Sequence, residues 1–336
     1  INLLPSPLFG VINASQSEVV NLHWVNAEAL SIKQIGQIRK PIVFTLHDMW
    51  AFCGAEHYCA DTNSSRFSEG YRSDNRPKGD RWLDLDRWTW NRKRKHWRLA
   101  RHVICPSRWL SDCVRDSLLM RDWPVHVVPN VLDVNLFRPL DKSFCRQALG
   151  LPPDVPLMAF GASGGGTDPR KGFDLLTDAV GILANEGALP GSECVVFGQS
   201  QPQNPPRLGL PLRFMGHLYD EYSLALLYNA VDVMVVPSRQ ENLPQIATEA
   251  HASGRPVVAF NTTGLPDVVE HGVTGYLAAP FEPEDLARGI KWVLEDSSRW
   301  KSLCSGARAR AVRLWSPEEV VPQYLEIYQT ALCDEF

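Results

Sequence analysis

Residues 238–250 read SRQENLPQIATEA and hold two carboxylates, Glu241 and Glu249, with seven residues between them. A metal site, a pair of general acids and bases, or grips on a ligand's hydroxyls would each use such a pair. Pro244 suits the first turn of a helix running to about Ser253. Glu249 then lies roughly one and a half turns inside that helix, too deep to cap it. Its neighbours, IATEAHASG, are small and apolar, as on a packed helix. A carboxylate there needs hydrogen-bond donors, and sugar or ribose hydroxyls would supply them. The exposed N–H groups at the helix start favour a phosphate.

A second candidate stretch is FGASGGGTDPRKGFDLL, from residue 160 to 176. A strand ends at Gly161, a glycine-rich loop follows, and Arg170 and Lys171 precede a helix. The spacing matches neither a phosphate loop nor a dinucleotide fingerprint. Small residues, two cations and a helix start still make an anion site. His23 and His47 each end a strand-like run, and Asp48 follows His47 directly. Gly264 and Gly216 also stand at strand ends, where open parallel sheets bind ligands.

Other clusters carry less. Asp84–Asp86 spell DLD, a spacing used for divalent ions, but they sit in a polar, helix-like stretch and no metal site is expected. His57 and Cys59, with Cys53 nearby, offer too few thiols for a closed four-ligand zinc site. Residues 87–101, RWTWNRKRKHWRLAR, are dense in arginine, lysine and tryptophan. They fit a helix resting on an anionic membrane, or a solvated charged face whose tryptophans turn to the core.

The elements that must position these residues follow from the apolar runs. Residues 18–24, 41–47, 102–107, 125–130, 157–162, 193–198, 212–217, 231–238 and 256–261 are short and rich in β-branched residues. Such runs suit strands buried on both faces of a parallel sheet. Helical patterns alternate with them, as in SRWLSDCVRDSLL, where Ser107 is the predicted cap. Strand–helix alternation predicts an α/β fold with two Rossmann-like parallel sheets. The predicted layout is a first domain over 1–138, a proline-rich linker over 139–155 and a second domain over 156–316. A last helix over 317–336 is expected to return to the first domain. The stretch 48–86 resists assignment and is too long for an idle loop.

The bulk composition sets bounds. The 336 residues are 44% hydrophobic and 21% charged, with a net charge of −4, so nothing global points to nucleic acid. Eight scattered cysteines form no CxxC pair and read as reduced thiols of a cytoplasmic protein. No apolar run reaches the ~20 residues of a membrane span, and no signal peptide is recognisable.

Taken together, PSRQENLPQIATEAHASGRPVVAFNTTGLPDVVEHGVTGYL resembles the donor half of glycosyltransferase family four, whose members have the GT-B fold, with two Rossmann-like domains facing a central cleft. The family's E-x7-E motif falls on Glu241 and Glu249. DPRKGFDLL is similar to its phosphate-binding segment, PNVLD (129–133) to its motif before the linker, and FTLHDMWAFCG to a bacterial surface-polysaccharide subgroup. The resemblance implies a cytoplasmic retaining, metal-independent enzyme of polysaccharide biosynthesis with no cofactor. It would move a sugar from a UDP- or GDP-sugar to a glycan or lipid-linked acceptor; on the membrane reading of 87–101, that stretch would make peripheral contact at the inner membrane face. It implies that Lys171, with Arg170 beside it, neutralises the leaving diphosphate. It gives Glu249 the ribose hydroxyls and Glu241 the donor sugar. Asn242, Leu243 and Pro244 would line the sugar and phosphate, with Gly264, Gly161 and Gly216 at the strand ends, and His47 would approach the sugar from the first domain.

The chain departs from the family in three places. Ala162 replaces a common arginine, ENLP replaces the E-x-F-G form, and the expected first strand and glycine loop near the acceptor are not visible in INLLPSPLFGVINAS. The alternatives are a GT-B epimerase or phosphorylase, and a non-catalytic remnant that binds a nucleotide or glycan.

Overall fold

The computed structural model describes residues 1–336 except 60–65, 78–82, 162–167, 206–208 and 335–336. The glycine-rich loop containing Ala162 therefore lies outside the described residues. The chain divides into two units, residues 1–129 with 321–336, and residues 130–320.

The first unit has a four-stranded sheet of β1 (Val20–His23), β2 (Ile42–Thr45), β3 (His102–Cys105) and β4 (Val125–Val127), in that order and all parallel. Between β2 and β3 the described residues of the long unassigned stretch are locally folded. They bury Trp50, Phe52, Cys53, Phe67 and Tyr71 and contain a short helix, Arg66–Glu69.

The basic stretch forms the helix Leu85–His96. Asp84 is its N-cap, accepting from the Arg87 N–H at 2.9 Å, and pairs with Arg66 at 2.6 Å. The DLD run is thus a helix cap, as short polar side chains at such a position favour. Trp90, Lys93 and Trp97 turn to the core, whereas Trp88 is exposed with the Arg92 guanidinium over its ring. The terminal residues 321–334 pack within this unit. Asn21 Nδ2 donates to Tyr328 Oη at 2.7 Å, and His102 meets Asp334 at 2.7 Å.

The second unit has a six-stranded parallel sheet of β5 (Leu157–Gly161), β6 (Glu193–Phe197), β7 (Leu212–Phe214), β8 (Val233–Val236), β9 (Val257–Phe260) and β10 (Gly275–Ala278). Their order is β10-β9-β8-β5-β6-β7. Alternate residues of β5 serve opposite faces. Leu157 and Ala159 join the core around Trp315, and Met158 and Phe160 join the core around Leu176 and Phe260. A strand buried on both faces reads as a continuous apolar run for this reason.

Residues 130–156 group with this unit through Arg146, which is 2% exposed. Its guanidinium pairs with Asp232 at 2.8 Å and donates to the carbonyls of Ala230, Pro152, Pro153 and Val155. The strand order reverses between β5 and β8. Such a switch point opens a crevice at the carboxyl ends of the two strands.

Candidate functional site

The switch point is where the candidate residues of the second unit collect. After β5, a 3₁₀ turn, Pro169–Lys171, is capped by Asp168, whose carboxylate accepts from the Arg170 N–H at 3.0 Å and pairs with its guanidinium at 2.7 Å. Gly172 then starts the helix Phe173–Asn185 with φ +66°, and a Cβ there would meet the Pro237 carbonyl oxygen at 1.9 Å. Only glycine permits both the left-handed turn and this approach to the chain after β8. The approach is secured from the other side. The Arg239 N–H donates to the Arg170 carbonyl at 2.7 Å, and the Arg239 guanidinium grips Asp174 at 2.6 Å.

This docking brings Lys171 to Glu241. Lys171 Nζ lies 2.7 Å from Glu241 Oε1, with the lysine side chain 25% and the glutamate 8% exposed. The loop carrying Glu241 is braced against the end of β9. The Gly264 N–H donates to the Glu241 carbonyl at 2.9 Å, and Thr263 Oγ1 accepts from the Glu241 N–H at 3.0 Å. A Cβ on Gly264 would stand 1.5 Å from the Asn242 carbonyl oxygen, so glycine is required by contact rather than by its φ of −85°. Asn242 and Leu243 are buried beside Glu241.

The helix expected from Pro244 is present, but Pro244 is its N-cap, with ψ 119°, and the helix spans Gln245–Ala252. Proline has no side chain that could cap. Glu249 lies within this helix, where its Oε2 accepts from the Tyr228 hydroxyl at 2.7 Å. Burial pushes the Glu249 carboxyl up to about 7; the nearby Glu221 adds to the rise and the Tyr228 hydroxyl opposes it. No direct bond joins Glu249 to Lys171 among the described residues.

Two further glycines act locally. A Cβ on Gly161 would enter the Phe197 ring, and Gly216, with φ +69°, accepts the Gly198 N–H at 2.8 Å. Lys171, Arg170, Glu241, Asn242, Leu243, Pro244 and Gly264 thus form one connected, largely buried cluster. Glu249 extends it through the helix, and Gly161 and Gly216 shape the neighbouring strand ends.

His47 belongs to the first unit and has its own setting. Its Nε2 lies 3.0 Å from Nδ1 of His23, with the rings stacked. Burial lowers both imidazoles below their usual range. Beside them Asp48 Oδ2 is 2.6 Å from His57 Nδ1, and Asp48 Oδ1 accepts from the Trp50 N–H at 2.9 Å. His47 and Asp48 share a small cavity with Asn26, both of whose amide atoms are buried without a hydrogen bond. A pair of mostly neutral imidazoles can pass a proton or bind a hydroxyl.

Sequence reasoning missed Tyr228, Arg239, Thr263 and the His23–His47 contact. Tyr228 reaches Glu249 from a helix 21 positions earlier, and nothing local in EYSLALLYNA marks it. The other signals were readable: Arg239 follows a strand end directly, and His23 and His47 end neighbouring runs.

Residues 5–136 match the family model described as glycosyltransferase family 4, and residues 159–296 match that of glycosyl transferases group 1. A D-inositol 3-phosphate glycosyltransferase from a Nocardioides strain is 33% identical over 227 residues, 62% of this chain and 48% of the relative. The enzyme of that name from Thermobispora bispora is 32% identical over 222 residues, 62% of this chain and 51% of the relative. The chain spans about half the length of these curated relatives. Among solved structures, sucrose-phosphate synthase from Thermosynechococcus elongatus superposes with a TM-score of 0.73 at 22% identity, covering 97% of this chain and 76% of the other. Anabaena HepE, in complex with UDP and glucose, gives 0.71 at 22% identity, with 97% and 82% covered. These superpositions establish the GT-B fold.

Proposed function

The chain belongs to the family 4 and group 1 glycosyltransferases, and from that premise we propose that it moves a sugar from a nucleotide-sugar donor to a glycan or lipid-linked acceptor. The observation that carries this reading is the braced Lys171–Glu241 pair at the switch point, with Glu249 in the helix that follows. A donor diphosphate would draw Lys171 from Glu241, with Arg170 beside it. The N–H groups at the start of Gln245–Ala252 add favourable charge. Glu241 would then turn to the sugar hydroxyls. Glu249 would grip the ribose hydroxyls with Oε1 while Tyr228 holds Oε2.

In the transfer, the bond between the anomeric carbon and the diphosphate oxygen breaks, and its electron pair leaves with the diphosphate. The acceptor oxygen bonds to the same carbon and passes its proton to the departing diphosphate. Lysine, arginine and helix N–H groups fixed before the reaction can stabilise the departing charge without a divalent ion. Retention of anomeric configuration, metal independence and a role in polysaccharide assembly belong to this proposal. So do the part of His47 in sugar or acceptor contact and membrane contact through residues 87–101, whose exposed Trp88 and arginines support it. The HepE complexes with UDP and UDP-glucose favour a uridine donor.

A thermal-shift screen of UDP, GDP and ADP with their sugar derivatives tests the reading. One nucleotide family should raise the melting temperature in proportion to the logarithm of its concentration. No shift with any of them at millimolar concentration would reject it.

A further inference from the structure

The loop after β2 carries a second constellation, separate from the donor residues. Cys53, Glu56 and Cys59 follow a C-x2-E-x2-C spacing, and one ligand atom from each lies within 4.8 Å of the other two. The two sulfurs are 3.5 Å apart. That exceeds a disulfide bond of ~2.05 Å. It approaches the roughly 3.7 Å edge of two thiolates on a tetrahedral ion with ~2.3 Å metal–sulfur bonds.

Glu56 supplies the independent observation. Its Oε1 accepts from the Tyr71 hydroxyl, whereas its Oε2 is buried and has no hydrogen-bond partner. The Asp86 carboxylate stands within hydrogen-bond reach of Glu56, and two partly buried carboxylates so placed must share a proton or meet a cation. A buried carboxylate oxygen that no donor reaches, beside a second carboxylate and two thiols, makes a cation the alternative to that shared proton.

The loop is also held in shape before any ion arrives. Lys93 Nζ donates to the carbonyls of Trp50, Cys53 and Gly54, and the Gly54 N–H donates to Tyr71 Oη at 2.9 Å. The Met49 N–H closes the loop onto the His57 carbonyl at 2.9 Å.

We propose that Cys53, Cys59 and Glu56 bind one thiophilic divalent ion of the zinc class, with water in the fourth position. Two sulfurs favour zinc over magnesium or calcium, and three protein ligands plus one open position are a common zinc arrangement. The ion would lock the segment 53–59 and, through His57 and Asp48, steady the loop that carries His47. The sequence reading grouped His57 with the two cysteines and expected no zinc site; the structure sets Glu56 beside the cysteines and commits His57 to Asp48.

The test uses the untagged full chain, purified under reducing conditions. Zinc content after desalting should be about one ion per chain, as the three ligands imply. Cobalt(II) added to the metal-free chain should give near-ultraviolet thiolate-to-metal charge-transfer bands and visible bands of tetrahedral intensity. Cys59→Ser should weaken zinc at least tenfold and diminish the charge-transfer bands. Glu56→Gln should weaken zinc while keeping the thiolate bands. Because Cys53 is buried and Cys53→Ser could unfold, the half-buried Cys59 and the cobalt spectrum of the unaltered chain carry the decision. A reduced chain that binds neither ion below millimolar concentration, cobalt spectra without thiolate bands, or zinc affinity unchanged in Cys59→Ser would each overturn the site.

Discussion

Replacing Glu249 with glutamine separates folding from binding, because the two should move in opposite directions. Burial raises the carboxyl from its ordinary 4.5 to about 7, a shift worth on the order of 3 kcal/mol. The folded chain therefore holds this proton more tightly than the unfolded chain. Between 4.5 and about 7 the unfolded state binds fewer protons at Glu249, so its contribution to stability falls as pH rises and is level above that window. The amide of Glu249→Gln still accepts from Tyr228 but carries no charge to bury. Near pH 4.5 variant and parent should melt alike. At pH 8 the variant should be the more stable by up to about 3 kcal/mol, several degrees in melting temperature for a unit of this size. Nucleotide binding should respond the other way, since ribose hydroxyls donate better to a carboxylate than to an amide. Parent affinity should rise as pH passes 7. The variant should be flat with pH and about tenfold weaker at pH 8, a loss of about 1.4 kcal/mol. Melting curves and calorimetric titrations at half-unit pH steps check both limbs. A variant that is less stable than the parent at pH 8, or that keeps the parent's affinity and its pH profile, would refute the reasoning.

Gly264→Ala should push the loop of Glu241 and Asn242 away from β9, since its Cβ has no room beside the Asn242 carbonyl. The expected cost is about 1–3 kcal/mol with a clear loss of nucleotide affinity. By contrast Gly181→Ala, in the middle of Phe173–Asn185 with open space around it, should leave binding unchanged and add up to about 1 kcal/mol. Arg146→Met should lower the urea midpoint of the second unit by an amount worth about 3–5 kcal/mol. It strips a buried partner from Asp232 and leaves four carbonyls without their donor.

The strands were legible in the sequence because parallel strands buried on both faces leave continuous apolar runs with little ambiguity. Leu157–Gly161 and Val233–Val236 show this. Strand order was not legible, since adjacency of β5 and β8 depends on contacts more than 70 residues apart in sequence. That adjacency is what sets Lys171 against Glu241. The carboxylate roles were readable only in part. Residue type and helix position singled out Glu249, but its Tyr228 partner and raised pKa arise from packing against a helix with no polar motif. The stretch 48–86 stayed opaque because its core is irregular: side chains such as Lys93 and Tyr71 hold it by capping backbone groups, which leaves no periodicity.

The most direct measurement is calorimetric titration of the nucleotide diphosphate selected by the melting screen into the parent chain, Lys171→Ala and Glu249→Ala. The parent should bind at one site, and each variant should bind at least tenfold more weakly while remaining folded. Affinity unchanged in both folded variants would contradict the placement of a nucleotide-sugar donor at the switch point of the second unit.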